Sequence, residues 1–144
     1  MGKRKVTKRN TSGVDSSLKA RSLSKGLRKK VSEGILYVES TYNNSRVTLT
    51  DKTGNVLTWS TSGALGFKGA KKGTPFAAGK IGELVGEKAA QAGIKEVSVI
   101  VKGVGSGRES AIRSFAGFNI DITSIEDQTP VPHNGPKPKK PRHI

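Results

Sequence analysis

Cysteine is absent from the 144 residues, which excludes a disulfide framework and any thiolate metal centre. The two histidines, His133 and His143, both fall near the C-terminal end, so no metal site is expected. Aromatic residues are scarce, with one Trp, two Tyr and four Phe. No apolar run approaches the roughly 20 residues of a bilayer-spanning helix. The first residues lack the apolar stretch of a secretory signal, and their basic groups cluster without the amphipathic face of an organelle transit peptide. A soluble, intracellular chain with no membrane partner and no cofactor is expected.

Acid is the scarcer charge, with 11 Asp and Glu against 26 Lys and Arg and a formal net charge of +15. Its distribution divides the chain. Residues 1–31 form a basic N-terminal arm of +10, residues 128–144 a Pro- and Lys-rich tail of +4, and residues 32–127 a span of only +1. Roughly 95 residues suffice for one compact domain and leave no room for a second. Uncompensated positive arms repel themselves and stay extended until they meet a polyanion, and nucleic acid is the commonest one.

Within the balanced span, Ile35 to Val38 and Val47 to Leu49 alternate with a period of two around Asn43-Asn44, a hairpin in which Asn tolerates positive φ. Val56 to Ser60 makes a third strand after the turn at Asp51 to Asn55. The spacing then changes at Ser62 to Thr74, a stretch with four glycines, three lysines and Phe67 that reads as a basic loop. Thr74 is placed as a helix N-cap with Pro75 at the first helical position, and an apolar face runs from Ala77 to Ala92 before Gly93. Gly79, Gly82 and Gly86 inside that helix point to close packing of helix on sheet. Val97 to Val101 is nearly all apolar, as in a parallel strand buried on both faces. A glycine loop, a short helix to about Phe115 and a last strand marked by Ile120, Ile122 and Ile125 complete the order βββαβαβ. The expected class is α/β, with a mixed sheet of about five strands, two helices and extended basic tails.

Gly103-Val104-Gly105-Ser106-Gly107-Arg108 joins a strand to a helix, the setting in which backbone amides face a phosphate. Its G-x-G-x-G spacing is one residue short of the dinucleotide pattern, and no P-loop occurs. Arg108 and Arg113 favour a polynucleotide phosphate over a soluble nucleotide, while a glycine turn that only closes the corner is the bland alternative. In the basic loop, Lys68, Lys71 and Lys72 suit a nucleic-acid backbone and Phe67 a stacked base, against the plainer reading of Phe67 as a core anchor. Trp59, Tyr37 and Phe76 are expected in the core. A βββαβ order resembles nuclease folds of the ribonuclease H type, but the central strand Val97 to Val101 carries no acid. No catalytic residue is assigned, and no enzyme is expected.

Gly34-Ile35, Tyr42-Asn43-Asn44, Gly63-Ala64-Leu65-Gly66-Phe67-Lys68-Gly69, Thr74-Pro75-Phe76-Ala77-Ala78, Lys102-Gly103-x-Gly105-x-Gly107-Arg108-Glu109-Ser110-x-Ile112-Arg113 and Asp127-x-Thr129-Pro130-x-Pro132-His133-Asn134-Gly135 together resemble the universal small-subunit ribosomal protein eleven family. The resemblance covers about residues 30–140. It implies a ribonuclease-H-like fold without catalytic acids, bound to small-subunit ribosomal RNA on the platform, near the messenger RNA and the exit site and beside neighbouring platform proteins. That location is cytoplasmic, in the ribosome. The family's RNA-facing positions carry over to Asn43, Asn44, Phe67, Lys68, Lys71, Lys72, Arg108, Arg113, Pro132, His133 and Asn134 with the following Lys137, Lys139, Lys140 and Arg142. Arg28, Lys29, Lys30 and the glycines Gly103, Gly105 and Gly107 join them as candidate RNA contacts from the charge and loop arguments. Residues 3–25 do not match the family and receive no carried-over contact. A free-standing RNA chaperone or regulator is the alternative. Asn134-Gly135 is also a candidate for succinimide formation and isoaspartate, because glycine leaves the preceding side chain unshielded.

Overall fold

The computed structural model describes residues 16–24 and 30–143. Arg28 and Lys29 lie outside the described residues. The first element is a helix, α1 (Ser16–Ser24), in a region expected to be extended. Leu18, Lys19, Ala20 and Arg21 are all good helix formers, which accounts for the difference.

Three antiparallel strands follow: β1 (Glu33–Ser40), β2 (Ser45–Asp51) and β3 (Val56–Thr61). After two short 3-10 turns, Gly63–Leu65 and Gly69–Gly73, come α2 (Pro75–Ala92), β4 (Glu96–Lys102), α3 (Arg108–Ala116) and β5 (Asp121–Asp127). The sheet order is β3-β2-β1-β4-β5, with β4 parallel to both β1 and β5. This is the expected mixed five-stranded α/β fold, with one helix more than foreseen.

Registers place Leu36, Val38, Val47, Leu49, Val97, Val99 and Val101 on one face of the sheet, and all are buried. Ala77, Ile81, Leu84, Val85 and Ala89 of α2, with Ala111 and Phe115 of α3, close over them. Each Val, Leu, Ile or Phe side chain among them contributes about 1.5–3 kcal/mol on burial. The opposite face has no helix on it among the described residues. There Trp59, Thr48, Tyr37, Ile100 and Glu126 run side by side across the five strands.

Two expectations are corrected by this one-sided cover. β4 alternates, with Ser98, Ile100 and Lys102 only half-buried, instead of being enclosed on both faces. Trp59 stands 57% exposed on the open face, and Tyr37, two strands away on the same face, is half-buried. The glycines of α2 also pack differently from expectation. A Cβ at Gly82 would press on the backbone of Ala111, and one at Gly86 on the Phe118 ring. They therefore seat α2 against α3 and the residues after it, not against the sheet.

Candidate nucleic-acid interface

Parallel β1, β4 and β5 all end on the same side of the sheet, and the turn from β1 into β2 lies there too. Three loops converge at that end. The hairpin Thr41 to Asn44 is organised by Thr41, whose hydroxyl accepts from the N–H of Asn43 at 3.3 Å and of Asn44 at 3.1 Å. The Thr41 N–H donates to the Asn44 carbonyl at 2.8 Å. Neither Asn has a positive φ, so the turn rests on a threonine hydroxyl and not on the Asn backbone freedom that was expected.

Against this hairpin packs the end of the basic loop, where a Cβ on Gly73 would collide with the Tyr42 carbonyl. Ser62 is buried beneath and donates its hydroxyl to the Lys72 carbonyl at 2.8 Å. Its backbone N–H bonds to the Ser45 carbonyl at 3.1 Å. Ser40 and Ser45 share a buried hydroxyl contact of 3.0 Å. Small hydroxyl residues at strand ends thus fix the loop from below while Lys68 and Lys71 stand exposed and Lys72 is partly exposed.

Phe67 is only 5% exposed, so the core-anchor reading holds and the expected stacking role for its ring is corrected. Its ring meets Phe76 edge-on at 6.0 Å. Phe76, expected in the core, is 54% exposed and has the Lys80 ammonium 5.5 Å from its ring centre. The accessible aromatic faces at this end of the molecule are therefore those of Phe76, in the first turn of α2, and Tyr42, 78% exposed in the hairpin.

The glycine loop differs from a phosphate cradle. The Gly105 N–H donates to the Ser40 carbonyl at 2.9 Å, and the Gly103 N–H donates to the Thr129 hydroxyl at 3.2 Å. Those two amides are already engaged within the fold. Gly103 has φ of 101°, and side chains at Gly103, Gly105 or Gly107 would strike Ser40, Thr41 or Ala78. Close approach to the β1 end is what these glycines provide, and the expected phosphate cradle does not include the Gly103 and Gly105 amides.

Arg108, the first residue of α3, donates from Nη1 to the Gly103 carbonyl at 3.1 Å and to Asp127 Oδ2 at 3.0 Å. Asp127 also accepts from the Thr129 hydroxyl at 2.5 Å and the Thr129 N–H at 3.0 Å. These bonds, the Thr129 hydroxyl first, hold the Asp127 carboxyl below its usual pKa. Gly103, Thr129, Asp127 and Arg108 form a closed clasp that fixes where the tail leaves the sheet. Thr129 was missed by sequence reasoning; its place two residues after Asp127 is the spacing of an Asx-type turn.

Beyond the clasp, Pro132, His133, Asn134, Lys137, Lys139, Lys140 and Arg142 are exposed, with no helix or strand. Arg113 is exposed one turn along α3. Lys30 stands apart: it precedes β1 and so lies at the opposite end of the sheet, roughly 25 Å away over eight strand residues. The N-termini of α2 and α3 both open on the loop end, and Thr74 caps α2 by accepting from the Ala77 N–H at 3.3 Å. Helix N-termini carry partial positive charge and point free N–H groups outward. Combined with three lysines, a basic tail and the two exposed rings of Tyr42 and Phe76, this end has the chemistry that suits a polyanion with unstacked bases. Among the described residues no group of three metal-ligating side chains is present, and no helix is long and apolar enough to cross a membrane.

The family described as ribosomal protein S11 matches residues 34–143. A small ribosomal subunit protein uS11 from Leptothrix cholodnii is 49% identical over 125 residues, covering 87% of this chain and 93% of that relative. Its counterpart from Chromobacterium violaceum is 52% identical over 120 residues, covering 83% and 92% respectively. That of Treponema pallidum strain Nichols is 52% identical over 117 residues, covering 81% and 93%.

Proposed function

The chain belongs to the ribosomal protein S11 family, structural and non-enzymatic constituents of the small ribosomal subunit, and from that premise we propose that it binds small-subunit ribosomal RNA through the loop end of its sheet. Ribosomal RNA and other ribosomal proteins are the partners that this membership implies. The carrying observation is the convergence of Asn43 and Asn44, the Lys68 to Lys72 loop, two helix N-termini and the basic tail at one end of the sheet. Its place is on the platform of the subunit, near the messenger path and exit site, in cytoplasmic ribosomes.

Lysines and helix N-termini there neutralise phosphate and set register, while Phe76 and the hairpin meet splayed bases. Five prolines from Pro130 to Pro141 stiffen the tail, which lowers the ordering cost when it threads along RNA. A free-standing RNA chaperone or regulator would use the same basic surfaces, and it is the family membership that favours the ribosomal reading.

Ultraviolet crosslinking of the tagged chain in cells, followed by sequencing of attached RNA, tests the reading. A few sharp sites in small-subunit ribosomal RNA are expected. Replacing Lys68, Lys71 and Lys72 together by Ala removes the sites belonging to that loop and lowers the salt slope of RNA binding by roughly 2–3. Crosslinks scattered over messengers overturn it.

A further inference from the structure

The strand β5 has properties opposite to those of the loop end. It is the last strand of the sheet, hydrogen-bonded on its β4 side only among the described residues. It carries Asp121, Glu126 and Asp127 and no basic residue, in a chain whose net charge is +15. Glu96 stands in register beside Asp121. Ile125 is 60% exposed. Between β5 and α3 runs a groove of about 400 Å³, with Val101, Ile112 and Ile125 as its apolar lining and Glu109, Arg113 and the Arg108–Asp127 pair around them. α3 packs over α2 and β1 and leaves the outermost strand uncovered.

We propose that this edge and groove receive an extended, basic polypeptide segment of another protein in the same particle, added alongside β5 as a sixth strand. A free strand edge presents a row of unpaired N–H and C=O groups, which give affinity to any added chain. Alternate side chains of the added strand face the groove, where one apolar side chain covers Ile112 and Ile125. The remaining ones meet the carboxylates on and beside β5, which selects Lys and Arg. Asp121 and Glu126 on the strand itself repel phosphate, which disfavours RNA along the strand edge even though Arg113 stands across the groove. A register shift opposite Val97 and Ser98 adds twist to the first half of the strand, and the regular half from Ser124 to Asp127 is where pairing takes place.

The proposal rests on the ribosomal reading, and its test separates the two. Ile125 is replaced by p-benzoylphenylalanine in the full chain, expressed in cells beside the unsubstituted chain, and small subunits are isolated by sedimentation before irradiation. Because Ile125 is exposed, the substituted chain is expected to fold and co-sediment. The expected result is a crosslink to a polypeptide, mapped by mass spectrometry to a Lys- or Arg-rich segment, and lost when Glu126→Lys is added. A crosslink to RNA, a crosslink to a segment without net positive charge, or no crosslink overturns the docking proposal while co-sedimentation keeps the ribosomal reading. Failure of the unsubstituted chain to co-sediment overturns both.

Discussion

Arg108 Nη1 donates to Asp127 Oδ2 at 3.0 Å, tying the first residue of α3 to the last residue of β5. The Thr129 hydroxyl and N–H bind the other carboxyl oxygen, Oδ1, so one carboxylate joins a helix start, a strand end and the tail. Its depressed pKa makes that junction pH-dependent. The folded value lies below the unfolded value of about 3.9. The stabilisation is therefore complete above that value and is lost as pH falls through the folded one. Asp51, lowered to about 2 chiefly by the Thr53 hydroxyl, acts in the same acid window. Urea midpoints measured from pH 5 to pH 2 are expected to fall less steeply in Asp127→Asn and in Asp51→Asn than in the parent. Arg108→Ala should soften only the Asp127 part and weaken RNA binding with little change in thermal midpoint at pH 7. A loss of stability as large as the loss of binding assigns Arg108 a purely structural role.

Two glycines with positive φ separate backbone strain from crowding. Gly69 has φ of 60° and open space where a Cβ would stand, while Gly103 has φ of 101° and the Ser40 carbonyl in that position. Gly69→Ala carries only the left-handed penalty of about 1–2 kcal/mol. Gly103→Ala adds overpacking of about 1–3 kcal/mol and displaces the N–H bonded to Thr129. Chemical denaturation is expected to rank Gly103→Ala as clearly the more destabilised. Equal midpoints for the two variants contradict the close approach of the glycine loop to β1.

Strand periodicity at Ile35 to Val38 and Val47 to Leu49, and the Thr74-Pro75 helix start, were legible in the sequence because local pattern alone determines them. Which side of the sheet receives helices is not a local property, and that is why Trp59 and Ile100 were placed inside. A loop phenylalanine and a helix phenylalanine are likewise indistinguishable by type: Phe67 turned inward and Phe76 outward because the loop folds back over the strand ends. The boundary of the glycine loop was legible, but sequence shows flexible amides and not that Ser40 and Thr129 already accept those of Gly105 and Gly103. That the loop lysines stand toward solvent was readable from charge alone, whereas the Thr129 clasp depends on three segments meeting.

Asn134 lies in the exposed tail with a left-handed φ of 56° and precedes Gly135. Glycine offers no Cβ to hinder attack of its own N on the Asn134 side-chain carbonyl, so succinimide closure and reopening to isoaspartate are expected there. Peptide mapping that resolves the isomers, on protein from aged cells, is expected to show a fraction of isoaspartate at Asn134, abolished by Gly135→Ala. Only unmodified asparagine throughout ageing refutes it.

The two phenylalanines at the loop end offer the sharpest division between folding and binding, because their rings touch at 6.0 Å yet differ in burial, 5% for Phe67 and 54% for Phe76. Phe67→Ala empties a core position and is expected to lower stability by about 3–5 kcal/mol. Phe76→Ala forfeits an edge-to-face contact of about 1 kcal/mol. If a base stacks on the Phe76 ring, its removal weakens RNA binding by about 1–3 kcal/mol, and Phe76→Tyr restores it. Phe76→Leu keeps apolar bulk without a π-face and should bind as poorly as Ala. Urea unfolding paired with RNA titration at fixed salt measures both quantities on each variant. Full RNA affinity in Phe76→Ala removes stacking on this ring from the interface and leaves the loop lysines, helix termini, hairpin and tail to carry it.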